Sequence, residues 1–344
     1  MKKNHMQVVL RWAVQLVIVF IVGVIIARGN LIVNNVNSDF PSPYENFYSH
    51  LSDNDNYFND RSCSNSYTLE DRKKVRWVVK KILNTIYIKS YELFGLGGVA
   101  SSFLLAHAMF YVLCFIFIKL TIIKIVDNPK IMAKVEDVSL LLFLSLSLII
   151  FNGHVSEFSF SIIEGFCISA ALYFSKVGRI IPFIFITTLG VLNRESAFLI
   201  LLLWPIFNLK INKNLLYLLI PFILFYFANH DILTCMLDPS FFMGDLDDET
   251  DKSIYNLQGI LSYVIRFIFN YGIFLILMTT IFFMSKKRQI FRKEIKCIYM
   301  LYILYNLVFL IFTPMAHMSI KYIVISLIVV STIIYKAGLI VNDK

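Results

Sequence analysis

No Gly-rich phosphate-binding loop, no HExxH and no Ser-His-Asp spacing occurs in the 344 residues, so the common signatures of nucleotide binding, zinc hydrolysis and serine hydrolysis are missing. The one glycine-dense stretch, Gly95-Leu96-Gly97-Gly98, reads as a flexible entry into an apolar run. Five cysteines, at 63, 114, 167, 235 and 297, make no CxxC or CxxH pair, which leaves no zinc or dithiol redox signal. Cys114, Cys167 and Cys297 sit in apolar runs, where a thiol serves as a small packing residue. Cys63 and Cys235 are placed to share a compartment, with pairing left open. The chain also lacks an internal repeat, an N-glycosylation sequon and long period-two alternation, the last of which excludes a membrane barrel. No metal or other cofactor is expected.

What is abundant is apolar surface. Apolar residues make up 58% of the chain, with 32 Phe and a mean hydropathy of +0.71. A soluble domain of this length has no interior large enough to hide so much. Long apolar blocks without alternation select helices, because a chain in a bilayer must satisfy its own backbone polar groups. The net charge of +9 does not indicate nucleic acid, since the basic residues fall in short clusters between apolar blocks, in the positive-inside pattern. The expected fold is all-α. It is a polytopic membrane bundle of about ten spanning or half-spanning helices, with both termini inside, an outward-facing cavity and a single integral domain over 1–344.

The first span covers about 7–27, preceded by Lys2 and Lys3, and reads as an uncleaved signal anchor. A long outer loop, 28–95, follows. Its first half is rich in Asn, Asp, Ser and Tyr; its second half carries an amphipathic helix at about 70–93. There Val75, Val78, Val79, Ile82, Leu83, Ile86 and Tyr87 recur at i, i+3, i+4, i+7, while Arg72, Lys73, Lys74, Arg76, Lys80, Lys81 and Lys89 occupy the other faces. Such a helix suits the membrane interface, and a docked helix with a solvated basic face fits the same pattern. Further spans are expected at 96–118, ending inward at Lys119, Lys124, Lys130 and Lys134, then at 138–151 and 158–174. Beyond 210 come 215–228, 259–284, 297–313 and 322–335.

The apolar run 180–207 is interrupted by Asn193-Arg194-Glu195-Ser196. Ionisable residues at membrane depth are costly unless paired or wetted, and mark function by default. If the run crossed once, the six basic residues at 286–296 would lie outside and the acidic loop at 231–251 inside. If it turns back at the interruption, both obey the charge rule, and 19 of the 32 Lys and Arg fall inside. The hairpin is therefore expected. Its arms, about 20 and 16 Å as helix, are short against a hydrocarbon core of about 30 Å. The polar tip is thus expected below the outer surface, at the floor of a water-accessible cavity.

Polar residues assigned to the outer side come from separate elements: Asp39, Tyr44 and Glu45; His154 and Glu157; Asn193, Arg194 and Glu195; His317 and Lys321. Carboxylates and cations on one face suit general-base attack by a hydroxyl beside an anionic leaving group. Each residue also has a plainer use. Asp39 is equally placed to cap a turn before Pro41. Arg194 and Glu195 could pin the hairpin as an ion pair. His154 and Glu157 suit capping of a short turn, and Lys321 suits snorkelling to head groups. The acidic run 245–251 suits a solvated loop, with an acidic cation site as the alternative.

These features together resemble the GT-C class of membrane glycosyltransferases. The likeness rests on a first span with its N-terminus inside, an acid and a Tyr early in the first outer loop (SDFPSPYENFY), and interfacial helix in that loop. It rests also on a short hairpin carrying Arg-Glu (VLNRESAFLI) and a late basic-Tyr pair, Lys321-Tyr322, opening an inward span (HMSIKYIVISL). The likeness implies a polyprenyl-phosphate-linked sugar donor and a glycan or lipid acceptor, used on the outer face of a bacterial cytoplasmic membrane. It implies Asp39 as catalytic base, with Arg194 and Lys321 at the lipid phosphate or sugar. Tyr44, Glu45, Glu157, Asn193, Glu195, His317 and Tyr322 are the accompanying substrate-binding candidates. In that class Arg often stands where this chain has Lys321. A polysaccharide polymerase, a lipid-linked substrate carrier and a non-catalytic assembly partner are the other readings. The missing internal repeat counts against the carrier.

Overall fold

The computed structural model describes residues 2–35, 77–125, 129–151, 158–193, 195–208 and 213–229. Asp39, Tyr44, Glu45, His154, Glu157, Arg194, His317, Lys321 and Tyr322 lie outside these, as do Cys63, Cys235 and the apolar runs beyond 230. The described residues are helical, without a strand among them: α1 (Lys2–Asn35), α2 (Trp77–Ile125), α3 (Pro129–Phe151), α4 (Phe158–Val177) and α5 (Ile180–Asn193). A 3-10 stretch (Glu195–Leu202) then leads into α6 (Leu203–Phe207), and a second (Lys213–Leu219) into α7 (Ile220–Asn229). Met6–Gly29 within α1 and Lys81–Lys124 within α2 are long and apolar enough to cross a membrane.

Side-chain pairings give the directions of the helices. Gln15 of α1 meets Lys119 of α2, and Gly23 stands against Ala108 and Tyr111, so α1 and the later part of α2 are antiparallel. A Cβ on Gly23 would come within 3.2 Å of the Ala108 Cα, which is why this close crossing carries glycine. Tyr111 packs against Phe143 with tilted rings and Lys119 pairs with Glu136, which makes α3 antiparallel to α2. Phe110 meets Phe166 and Phe117 meets Tyr173, so α4 runs parallel to α2. Tyr111, Phe115, Ile118, Phe143, Ile162 and Phe183 are fully buried at the centre of this packing. On α1 the opposite face, with Val14, Val17, Ile21 and Ile25, is exposed. A continuous apolar stripe of that kind is stable against hydrocarbon and not against water.

The glycine-dense entry into α2 is a sharp break. Gly95 has φ 63° and ψ −155°, a conformation that only glycine adopts readily. A Cβ on Gly98 would stand 2.2 Å from the Ser90 carbonyl oxygen. The segment before the break is helical, as its spacing predicts, but its apolar residues do not form one face. Val79 and Tyr87 pack inward with Asn84, whereas Ile82, Ile86, Leu93 and Phe94 are exposed. The helix therefore has one apolar edge against the bundle and another facing away from it.

Two helices run beyond the expected span ends. α2 continues past Lys119 to Ile125, and Lys119 is 2% exposed. The helix that contains 138–151 begins at Pro129. Both extensions have one cause. Lys119 donates to Gln15, lies 3.9 Å from the centre of the Trp12 ring, and pairs with Glu136 at 3.5 Å. Gln15 donates to Asp137 at 3.0 Å, and Arg11 both pairs with Asp137 and donates to the Ala133 carbonyl. Two cations and two carboxylates are thus neutralised between three helices, so charges that look like helix ends in the sequence continue as helix.

Candidate functional site

The chain reverses at the polar interruption. Phe183, near the start of α5, lies 5.1 Å from Trp204 between ring centres, and a Cβ on Gly190 would stand 3.3 Å from the Ala197 Cβ. The two arms are therefore antiparallel, and the turn-back expected from charge bookkeeping is present. The 3-10 winding of the return arm over eight residues is unusually long and marks a segment shaped by its packing and not by its own preference.

Two local devices set the hairpin against α4. The first is the turn between α4 and α5, where Gly178 takes φ 77°. Arg179 N–H donates to Phe174 O at 3.0 Å and Gly178 N–H to Ser175 O at 3.2 Å. This is a Schellman cap, which reverses the chain in two residues and needs a left-handed residue at its centre. The second device clamps the base of the hairpin. Ser175 Oγ donates to the Leu203 carbonyl at 2.7 Å, while Asn208 Nδ2 donates to the carbonyls of Ser175 and Trp204.

At the other end, the tip begins at Asn193, whose side chain is fully buried. Glu195 opens the return arm. Glu164 of α4 is also fully buried. His107 and Tyr87 of α2 close a narrow cleft with Leu83 and Ile163. His107 Nδ1 lies 2.8 Å from the Phe103 carbonyl, which makes Nδ1 the protonated nitrogen and leaves Nε2 as an acceptor. Asn84, Tyr87 and His107 of α2, Glu164 of α4 and Asn193 of α5 are all buried. Among these buried residues are an acid, an imidazole, two amides and a phenol. Among the described residues, no group of three or more His, Cys, Asp or Glu could hold a metal ion.

Of the residues singled out in the sequence, Asn193 and Glu195 are the two that fall among the described ones, at the start of the tip and of the return arm. Sequence reasoning does not find Glu164, His107, Asn84 or the Lys119 network. A lone acid inside an apolar span was the available signal for Glu164, and it carries weight only once the face it occupies is known. Cys114 and Cys167 are free and buried, in keeping with a packing use.

Comparison of the chain with protein-family models, curated proteins and solved structures returns no match.

Proposed function

We propose that this chain is a membrane-embedded inverting glycosyltransferase. It moves a sugar from a polyprenyl phosphate donor to a glycan or lipid acceptor of the bacterial envelope, on the outer face of the cytoplasmic membrane. The observation that carries the reading is the hairpin: the arms on either side of Asn193-Arg194-Glu195 run antiparallel, and Asn193 at the end of the first arm is fully buried. An arginine in the sequence of such a turn, within an apolar run, suits an anionic lipid phosphate. The two helices apolar enough to cross a membrane, and the exposed apolar stripe of α1, support the membrane setting.

In this reading Asp39 takes the proton of the acceptor hydroxyl, the acceptor oxygen bonds to the anomeric carbon from the opposite face, and the bond from that carbon to the phosphate breaks. Polyprenyl phosphate leaves with the bonding electrons, its charge met by Arg194 and Lys321. Tyr44, Glu45, Glu157, Glu195, His317 and Tyr322 contact the sugar or acceptor. The kinked segment before Gly95, with Lys81 and Lys89 exposed beside Ile82 and Ile86, suits contact with anionic lipid.

The test is transfer by purified full-length protein from radiolabelled polyprenyl-phosphate sugars to an envelope lipid extract. The expected result is label in the acceptor with inverted anomeric configuration, reduced about 100-fold or more by Asp39→Asn. Undiminished transfer by that variant removes Asp39 from the role. Extension of preassembled repeat units instead of single-sugar transfer identifies a polymerase, and movement of lipid without bond change identifies a carrier.

A further inference from the structure

α2 doubles back on itself at Gly95. Tyr87 lies 5.9 Å from Phe103 between ring centres, and Leu83 lines a cleft with Ala106, His107 and Phe110. Nearer the break, a Cβ on Gly98 would stand 2.2 Å from the Ser90 carbonyl oxygen. Residues equally far before and after Gly95 therefore face each other, the pattern of two antiparallel helices joined by a tight turn. The arm 77–94 thus runs beside the arm 96–125. Its inner edge is Val79, Leu83, Asn84 and Tyr87, and its outward face carries Ile82, Ile86, Leu93 and Phe94 together with Lys81, Lys89 and Glu92. On α1, Gln15 meets Lys119, and Gly23 stands against Ala108 and Tyr111. At about 1.5 Å of rise per residue on each helix, Arg28 of α1 comes level with about Ala106, Lys81 with about Met109 and Lys89 with about Ser101. The three cations fall within about 12 Å along the bundle axis. All three are exposed. Met6–Gly29, the stretch of α1 long and apolar enough to cross a membrane, ends at this level, and the exposed residues of α1 next to it are Val17, Ile18, Ile21 and Ile25.

We propose that Arg28, Lys81 and Lys89 form a cation belt that holds the phosphates of anionic phospholipids at the Gly95 end of the bundle, with acyl chains against the exposed apolar residues beside them. Cations that close an apolar band stand where lipid head groups lie, and their apolar stems cover the band's edge. The lone acid of the arm, Glu92, is about 4.5 Å further towards Gly95 than Lys89, past the belt. The fold-back matters because it brings the lysines to the depth of Arg28. A straight continuation of the arm 96–125 would carry Lys81 about 20 Å beyond Gly95 and away from any bilayer that α1 crosses. In the orientation of the function proposed above this is the outer end, where lysine and arginine are depleted, so three exposed cations at one depth need a use. The belt rests on that reading only for which leaflet supplies the lipid.

The experiment titrates purified full-length protein in neutral detergent with phosphatidylglycerol and, separately, with phosphatidylcholine, and reads the thermal midpoint. Wild type is expected to be stabilised by phosphatidylglycerol and not by phosphatidylcholine, with the effect screened by about 0.5 M salt. The triple variant Arg28→Gln/Lys81→Gln/Lys89→Gln is expected to need on the order of 100-fold more phosphatidylglycerol for the same shift, about fivefold for each cation. Lys81→Gln and Lys89→Gln alone, each expected to cost about fivefold, give the same reading should the triple variant be too unstable to purify. Lys81→Arg/Lys89→Arg is expected to respond as wild type does. So is Lys124→Gln/Lys134→Gln, which removes exposed lysines elsewhere on the bundle. Equal stabilisation by both lipids, an unchanged response in the belt variants, or a loss confined to Lys124→Gln/Lys134→Gln overturns the belt. Because no sugar donor is present, failure of glycosyl transfer leaves a selective phosphatidylglycerol response standing, whereas transfer by a wild type that shows no such response overturns the belt alone.

Discussion

At the scale of single residues, the best-defined charges are those of Lys119 and Glu136, which bury each other almost completely between α2 and α3. Removing one member of a buried pair strands the other. Glu136→Gln is expected to cost about 3 kcal/mol, and adding Lys119→Met to recover most of that loss, because the desolvated pair contributes little net stability over apolar packing. A urea or thermal midpoint series on the two variants checks this, and a double variant less stable than the single one rejects it. Arg11 and Asp137, each more exposed, are expected to matter less, below about 1 kcal/mol on removal. The contrast shows what could be read without coordinates. Asn193-Arg194-Glu195 stands out in the sequence because it breaks an apolar run, whereas Lys119 looks like the end of a span and Glu164 like an incidental acid. Whether a charge ends a helix or is buried within it depends on what the neighbouring helices bring, and α1, α2 and α3 meet only in three dimensions.

At the scale of elements, α2 and the hairpin depend on glycines for different reasons. Gly95→Ala forces a side chain into a conformation costing about 1–3 kcal/mol, and Gly98→Ala drives a methyl into the Ser90 carbonyl. Both are expected to straighten or unseat the segment 77–94, which cysteine-accessibility labelling at Ile86 and Phe94 reads as altered protection. Gly190→Leu acts on packing. Its side chain has no room between Cys167, Ala197 and Ile200, so the arms must separate, at about 1–3 kcal/mol and with loss of any ligand contact at the tip. Unchanged stability in Gly190→Leu rejects the close seam. That the apolar runs among the described residues are helical was legible, because apolar blocks without alternation leave no other choice, but the 3-10 winding of Glu195–Leu202 and Lys213–Leu219 and the continuation of α1 to Asn35 were not. The split of the segment 77–94 into an inward and an outward apolar edge was not, since spacing groups residues by angle and cannot say which neighbour each edge meets.

At the scale of the whole molecule, helix direction is where sequence and structure inform each other most. Charge clusters call for a reversal at the tip, and the pairing of Phe183 with Trp204 supplies it. The consequence for the remainder of the chain is testable with phosphatase fusions: activity is expected for a fusion in 231–251 and none for one in 286–296, whereas the opposite result restores a single crossing. The three-helix charge cluster has a consequence for biosynthesis as well. Gln15 and its partner Asp137 are separated by 122 residues, and Arg11 is joined to Ala133 over the same interval. At elongation rates of about 5–20 residues per second, α1 leaves the ribosome about 6–25 seconds before its counter-charges exist. Throughout that interval the first helix carries an unneutralised arginine, so it is expected to wait against the insertion machinery and be handed to its neighbours only once α3 has been made.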